Sequence, residues 1–348
     1  LGTWLEREWQ RRGGGALLLL PFAAVFRALA PLRRALYRSG VLRAWRAPVP
    51  VVVVGNITVG GTGKTPLTLA IVEALAARGW TPGVVARGYG RVPSTEHDPS
   101  GVVRVFPEVA TPEHFGDEPV LIARRLHVPV FISPDRPAAV RALLAAFPAI
   151  DVVVSDDGLQ HYALARDVEI AVVDGERRFG NGLPLPAGPL REPVSRLREV
   201  DAVVVNGGWS DTVPSARQFA MQLRADAFVS LAGEERTPGE FALMARGRNI
   251  AAVAGIGNPQ RFFDHLGRLG ISASAHAFPD HHLFRPSDLR LPGAEAIVMT
   301  EKDAVKCHAF ADARMWFLRV SAELPPDFDA FLLERLGQAR SARPAGAQ

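Results

Sequence analysis

Three lysines stand among forty basic residues: Lys64, Lys302 and Lys306. Arginine serves wherever a generic positive charge suffices, so each compact ammonium is a candidate for a specific task. Lys64 lies in the run VVVVGNITVGGTGKTPLTLAIVEAL, which reads as a strand, a Gly-rich turn and a helix. In that turn Thr58, Gly60, Gly61, Thr62 and Gly63 let backbone N–H groups curl around phosphate oxygens. Lys64 can reach the β- and γ-phosphates and the Thr65 hydroxyl can ligate magnesium, so the turn predicts ATP and Mg²⁺. Thr58 replaces the first Gly of the strict G-x-x-x-x-G-K-[ST] pattern, but the flanking strand and helix are what the motif requires. Dimeric switch ATPases carry a lysine where this chain has Val59, which makes that class the second reading.

Other polar clusters follow strands. Val152–Val154 runs into Ser155, Asp156 and Asp157, where a Mg²⁺-binding carboxylate sits beside a phosphate loop; an Asp pair capping the turn at Gly158 is the plainer alternative. Gln160 and His161 come next, placed to orient metal, nucleotide or substrate. Arg87-Gly88-Tyr89-Gly90-Arg91, Phe115-Gly116-Asp117-Glu118-Pro119 and Gly188-Pro189-Leu190-Arg191-Glu192-Pro193 each put charge on a Gly or Pro turn. Strand-end loops face the ligand crevice of a doubly wound sheet, although each cluster taken singly could be an ordinary turn. Asp280 precedes His281 and His282; with one Cys in the chain and no third ligand spacing, catalytic or substrate-orienting use fits better than zinc. Lys302 and Lys306 follow a strand, to meet phosphate or to pair with local acids.

Positioning these residues requires short β-branched runs alternating with helices. Strands are predicted at Val51–Val54, Val84–Ala86, Val128–Ile132, Val152–Val154, Ile170–Val173 and Ala202–Val205, with helices such as Pro66–Arg78 and Pro137–Phe147 between. Continuous apolar strands imply a parallel sheet covered on both faces, a doubly wound α/β fold. The pattern weakens over 207–247 and restarts at Ile250–Ala254, Ala273–Phe278, Ile297–Thr300 and Trp316–Val320. This predicts a P-loop domain over 49–225, a second, smaller α/β domain over 226–336 and a frayed tail over 337–348.

With 348 residues, 48% of them hydrophobic, the chain can bury more than one core. Its single cysteine, Cys307, suits a reducing compartment. Residues 1–50 hold nine Arg against Glu6 and Glu8, a charge of +7 within a total of +4, so the rest of the chain is net acidic. That distribution argues against a nucleic-acid-binding body and fits a segment drawn to anionic lipid. The apolar run ALLLLPFAAVF at 16–26 is too short to span a bilayer. Trp4 and Trp9 precede it, and Leu29, Leu32 and Leu36 follow at helical spacing among Arg27, Arg33, Arg34 and Arg38. Segment 1–48 is therefore predicted as an interfacial, monotopic helix; core packing or a cleaved signal are the competing readings, the latter lacking a convincing cleavage site.

The segments GNITVGGTGKTP, ARGYGR, FGDEP, SDDGLQH, LPAGPLREP, GIGNPQRFF, FPDHH and TEKDAVK, in this order, resemble the tetraacyldisaccharide 4′-kinase family. The resemblance implies two α/β domains with ATP in the cleft between them. It also implies transfer of the γ-phosphate to the 4′-hydroxyl of tetraacyldisaccharide 1-phosphate, giving the bis-phosphorylated lipid IVA precursor of lipid A. By that resemblance Asp117 is the catalytic carboxylate with His281 as its partner, Lys64 holds phosphate, and Thr65, Asp156, Asp157 and Glu192 surround magnesium. Arg87, Gln160, His161, Arg191, His282 and Lys302 are expected to orient substrate. The acylated substrate implies a site at the cytoplasmic face of the bacterial inner membrane, peripheral or monotopic. A kinase for a soluble sugar would share the phosphate loop but would not need the apolar N-terminus.

Overall fold

The computed structural model describes residues 8–9, 13–89, 101–208 and 217–343. Trp4 and the Gly90-Arg91 end of the ARGYGR segment lie outside the described residues.

The strands are β1 (Val51–Gly55), β2 (Pro82–Ala86), β3 (Val103–Val105), β4 (Val130–Ile132), β5 (Val152–Ser155), β6 (Val168–Asp174) and β7 (Ala202–Asn206), then β8 (Gln218–Ser230), β9 (Glu235–Arg236), β10 (Ile250–Ala254), β11 (Ser274–Ala277), β12 (Ala296–Thr300) and β13 (Met315–Glu323). They join in the order β11-β10-β12-β13-β8-β7-β6-β1-β5-β2-β4-β3, with β9 beside β8. From β4 to β8 and from β11 to β13 the neighbours are parallel. The chain is thus mixed α/β, dominated by parallel strands. β1 and β5 are adjacent, so the Gly-rich turn after one and the Asp pair after the other emerge side by side at the carboxyl edge. In the other half β10 and β12 are adjacent, which brings the loop at Gly255–Asn258 next to the helix Glu301–Cys307.

β8 carries the seam. Gln218–Met221 pair in parallel with β7, and Gln222–Ser230 pair antiparallel with β13. The boundary expected near 225 therefore lies within a strand, not a linker. Alternating burial over Gln218–Leu223 explains why the sequence shows no continuous apolar run there.

The two halves have separate cores. Leu67, Ile71, Ile122 and Val172 lie in one; Phe228, Phe241, Val298 and Trp316 lie in the other. The helix Lys64–Ala76 buries a broad face, Lys64, Leu67, Thr68, Leu69, Ile71, Val72 and Leu75, and exposes Glu73 and Ala76. The C-terminal helix Pro326–Ser341 departs from the expected division, because Phe328, Phe331, Leu332 and Leu336 insert into the first core. Of the frayed tail expected over 337–348, residues 337–343 are corrected, because the helix runs to Ser341 and Arg343 binds the Val49 carbonyl and Asp167; residues 344–348 lie outside the described residues.

At the other end, helices Gly14–Leu18 and Leu20–Arg38 bury Ala16 and Ala23 while Leu18, Phe22, Val25, Leu29 and Leu32 stand more than half exposed. Arg34 and Arg38 tie the helix end to Glu199. Among the described residues no helix is long and apolar enough to cross a membrane.

Candidate active site

The Gly-rich turn is shaped by residues before and beyond it. Asn56 donates to the Gly60 carbonyl and to Thr62 Oγ1 at 3.2 Å, and Asn206, at the end of β7, donates to the Thr62 carbonyl at 3.0 Å. Gly63 opens the helix at φ +98°, and a Cβ there would come within 2.3 Å of Asn206 Nδ2, so both conformation and space demand glycine. Thr58 forms a bridge to Leu190, which fixes the turn against the Gly188–Pro193 segment. From the opposite half, Gly257 packs on the turn so closely that a Cβ on it would meet Gly61 N at 2.4 Å. Arg177 donates to the Gly257 carbonyl at 2.6 Å and holds that approach.

Between the halves lies a cavity of about 200 Å³. Its lining combines polar residues, Lys64, Thr65, Glu118 and Lys302, with apolar ones, Leu223, Phe262, Leu318 and Val320.

Two buried carboxylate groups adjoin residues that line this cleft, Asp117 beside Lys302 and Asp157 beside Lys64. Asp117 opens the helix Asp117–Leu126 and is nearly enclosed. His281 Nδ1 is 3.0 Å from Asp117 Oδ2, and Lys302 Nζ is 3.7 Å from the same oxygen, 3.1 Å from Glu118 and 3.5 Å from Asp280. Burial opposes ionisation of Asp117, but the His281 hydrogen bond and the Lys302 charge outweigh it and hold the group well below the usual carboxylate range. Burial likewise works against the charged form of His281, while the bond to Asp117 raises its pKa above the ordinary value. Lys302 is desolvated too, yet Glu118, Asp117 and Asp280 keep it firmly protonated.

Asp156 behaves oppositely. Burial, then the negative charges of Glu118 and Asp157, push it up to about 6, against a 2.7 Å hydrogen bond from Thr68 that favours the ionised form. Asp157, at φ +46°, lies 3.7 Å from Lys64 Nζ and accepts from Arg191 at 3.2 Å. Burial disfavours its charge, but these cations hold it below the carboxylate range.

His281, not His282, faces Asp117; His282 bonds Asp288 at 3.0 Å and packs among Phe278 and Phe284. Glu192 does not join the Asp pair. Its oxygens accept from Gln160 and Tyr162, both at 2.7 Å, and Arg196 lies 3.3 Å away. Gln160 also donates to the Asn56 carbonyl, so this group braces the Gly-rich turn. Burial and then the charges of Arg136 and Arg87 push His161 down to about 3, which leaves it neutral near pH 7. Arg87 is exposed at the end of β2. Among the described residues no group of three or more His, Cys, Asp or Glu is arranged to hold a metal.

Sequence reasoning did not single out Asn206, Thr68, Glu118 as a neighbour of Asp156, or Arg136, which donates to the Ser133 and Asp156 carbonyls. Asn206 was findable, since it ends a buried apolar strand as the Asp pair does.

A family model for tetraacyldisaccharide-1-P 4′-kinase matches residues 15–337. The chain belongs to this family. The 4′-kinase relatives include the tetraacyldisaccharide 4′-kinases of Methylobacillus flagellatus, 45% identical over 96% of each chain, and of Pseudomonas paraeruginosa, 50% identical over 95% of this chain and 96% of that one. Among solved structures, the apo form of LpxK from Aquifex aeolicus in complex with ATP superposes with a TM-score of 0.73 at 28% identity, covering 92% of this chain and 99% of that one. The family expected from the ordered motifs is borne out over nearly the whole chain.

Proposed function

We propose that the cleft binds ATP and transfers its γ-phosphate to the 4′-hydroxyl of a membrane-embedded tetraacyldisaccharide 1-phosphate. The observation that carries this reading is the Asp117–His281 pair at 3.0 Å, joined through Lys302 to a cleft that Lys64 and the Gly-rich turn also line. The ATP complex of the related LpxK chain and the 4′-kinase names of the relatives support it.

In this reading the turn from Gly60 to Thr65 is a phosphate-binding loop, and Lys64 holds the phosphate chain. The apolar lining residues Leu223, Phe262, Leu318 and Val320 receive the base. Asp117 is ionised and takes the hydroxyl proton while a bond forms from the 4′-oxygen to the γ-phosphorus. The bond from that phosphorus to the bridging oxygen breaks as ADP leaves. Positioning and charge do most of the work, because the transferring phosphoryl group has a loose transition state. His281 donates to Asp117 and aims it.

Thr65, Asp156 and Asp157 fit a magnesium ion. Asp156 is crowded by Glu118 and Asp157, a concentration of negative charge that a divalent cation relieves. Mg²⁺ typically takes one or two carboxylates together with substrate phosphates, so three protein carboxylates are not required. The ion would neutralise charge on the phosphates. Glu192, committed to Gln160 and Tyr162, is left to the scaffold.

We place the protein at the cytoplasmic face of the inner membrane, as a peripheral or monotopic chain. Four acyl chains keep the acceptor in the bilayer, ATP is soluble, and the exposed Leu18, Phe22, Val25 and Leu29 supply an apolar face for the interface. The two halves act as a nucleotide domain and a covering domain that meet within β8.

The test is incubation with Mg²⁺, γ-labelled ATP and tetraacyldisaccharide 1-phosphate in detergent micelles. Label at the 4′ position is expected. Steady ATP hydrolysis with no lipid label would overturn the reading in favour of a switch ATPase.

A further inference from the structure

Behind the Asp117–His281 pair lies an ammonium that the reaction does not touch. Lys306, in the helix Glu301–Cys307, has a side chain 1% exposed, with Nζ 4.0 Å from Asp117 Oδ2 and 2.7 Å from Asp303 Oδ1. Despite that short contact, the ammonium has no aligned hydrogen-bond acceptor, and its other close neighbour is the Phe284 ring at 5.2 Å. A buried cation with unused donors is unfavourable for folding. Asp303 offsets the charge, but it is itself already occupied on its other oxygen, accepting from Gly255 N at 2.9 Å and from the Thr300 hydroxyl at 2.6 Å. Structure alone would be served as well by a neutral side chain of the same length.

We propose that Lys306 is a positioning residue that keeps Asp117 aimed at the acceptor hydroxyl. The proposal rests on the reading of Asp117 as the proton acceptor. Asp117 sits in the half that holds the Gly-rich turn, while His281, Lys302 and Lys306 all come from the other half. Lys302 lines the cleft and is shared with Glu118 and Asp280, so an incoming phosphate competes for its charge. Lys306 faces no such competition. It lies outside the cavity lining and offers Asp117 a fixed positive field whatever the cleft contains. The charged groups facing Asp117 are therefore His281, Lys302 and Lys306, with Glu118 adjacent in sequence and Asp280 and Asp303 balancing the lysines.

The experiment compares Lys306→Met with the parent protein in lipid phosphorylation from pH 5.5 to 9, with Asp117→Ala as the reference. For Lys306→Met, kcat should fall at least tenfold throughout pH 5.5–9, because His281 and Lys302 still keep Asp117 ionised over that range and what is lost is its aim. The KM for ATP should stay within twofold. Should Lys306→Met not fold, Lys306→Met/Asp303→Asn, which leaves no buried charge unpaired, carries the same test with the same expected profile. A folded variant with parental kcat and pH profile, or one whose kcat drops equally at every pH while the KM for ATP rises, overturns the proposal. Loss of turnover in Asp117→Ala beside parental behaviour in Lys306→Met would reject the Lys306 role alone; turnover retained by Asp117→Ala would reject the proton-acceptor reading and this inference with it.

Discussion

Asp117 and Asp156 are both buried carboxylates, and their surroundings drive them in opposite directions. Asp117 is ringed by His281, Lys302 and Lys306, and desolvation is overridden. Asp156 is crowded by Glu118 and Asp157, and desolvation is reinforced until its pKa reaches about 6. Burial sets the stakes in both cases, while the sign of the neighbouring charge decides the outcome. The first region keeps its carboxylate charged. The second is built with a charge deficit that a cation can fill. The polarity also follows the fold: the cations around Asp117 cross over from the other half, whereas Asp156 and Asp157 are crowded by their own half.

The comparison can be broken most severely at Asp117. Asp117→Ala should lower turnover by roughly 10²–10⁴-fold, the range for loss of a general base, and leave ATP affinity nearly unchanged in a nucleotide-binding titration. A near-normal rate would remove Asp117 from the proton-acceptor role. Lys64→Met comes next and acts at the Gly-rich turn. Here kcat/KM for ATP should drop by roughly 10²-fold, as for a lost charge-stabilising donor, and nucleotide binding should weaken too. Intact ATP affinity would mean that the Gly-rich turn does not hold the phosphates. Far smaller in its effect on chemistry, Phe22→Glu should weaken sedimentation with anionic vesicles by about tenfold, since burying one large apolar side chain is worth about 1.5–3 kcal/mol. Turnover on a micellar substrate should change little. Unaltered vesicle binding would leave the exposed helix face without its assigned partner.

Much of this arrangement was legible in the sequence because it depends on local pattern. The buried runs at Val51–Val54 and Val152–Val154 announce parallel strands, and the motifs after them fall at the carboxyl edge because β1 and β5 pair. What escaped depends on distant partners. β8 is half exposed and changes partner midway, so its residues alternate and no single periodicity covers it. The C-terminal helix returns to the first core through Phe328 and Phe331, a docking that nothing in its own sequence specifies. Glu192 follows the Gly188–Pro189 turn like a ligand-facing residue, but Gln160, Tyr162 and Arg196 claim its oxygens. Lys306 was notable only for being lysine; its burial against Asp303 and Asp117 appears once the helix Glu301–Cys307 packs beside the helix Asp117–Leu126.

Thermal unfolding of Asp117→Asn and Asp156→Asn, without nucleotide or Mg²⁺, is the most direct measurement of the opposed electrostatics. Asp156 has its folded pKa raised from 3.8 to about 6, so ionising it costs stability as pH rises through that window, and the cost is fully present above it. Asp156→Asn should therefore raise Tm by several degrees at pH 7.5, on the order of 2–3 kcal/mol, and the gain should vanish near pH 4. Asp117 has its folded pKa depressed, so its contribution is present above its unfolded value and is lost only as pH falls through the folded one. Asp117→Asn should lower Tm at pH 7.5. Shifts of opposite sign are the predicted result; shifts of the same sign would contradict the account.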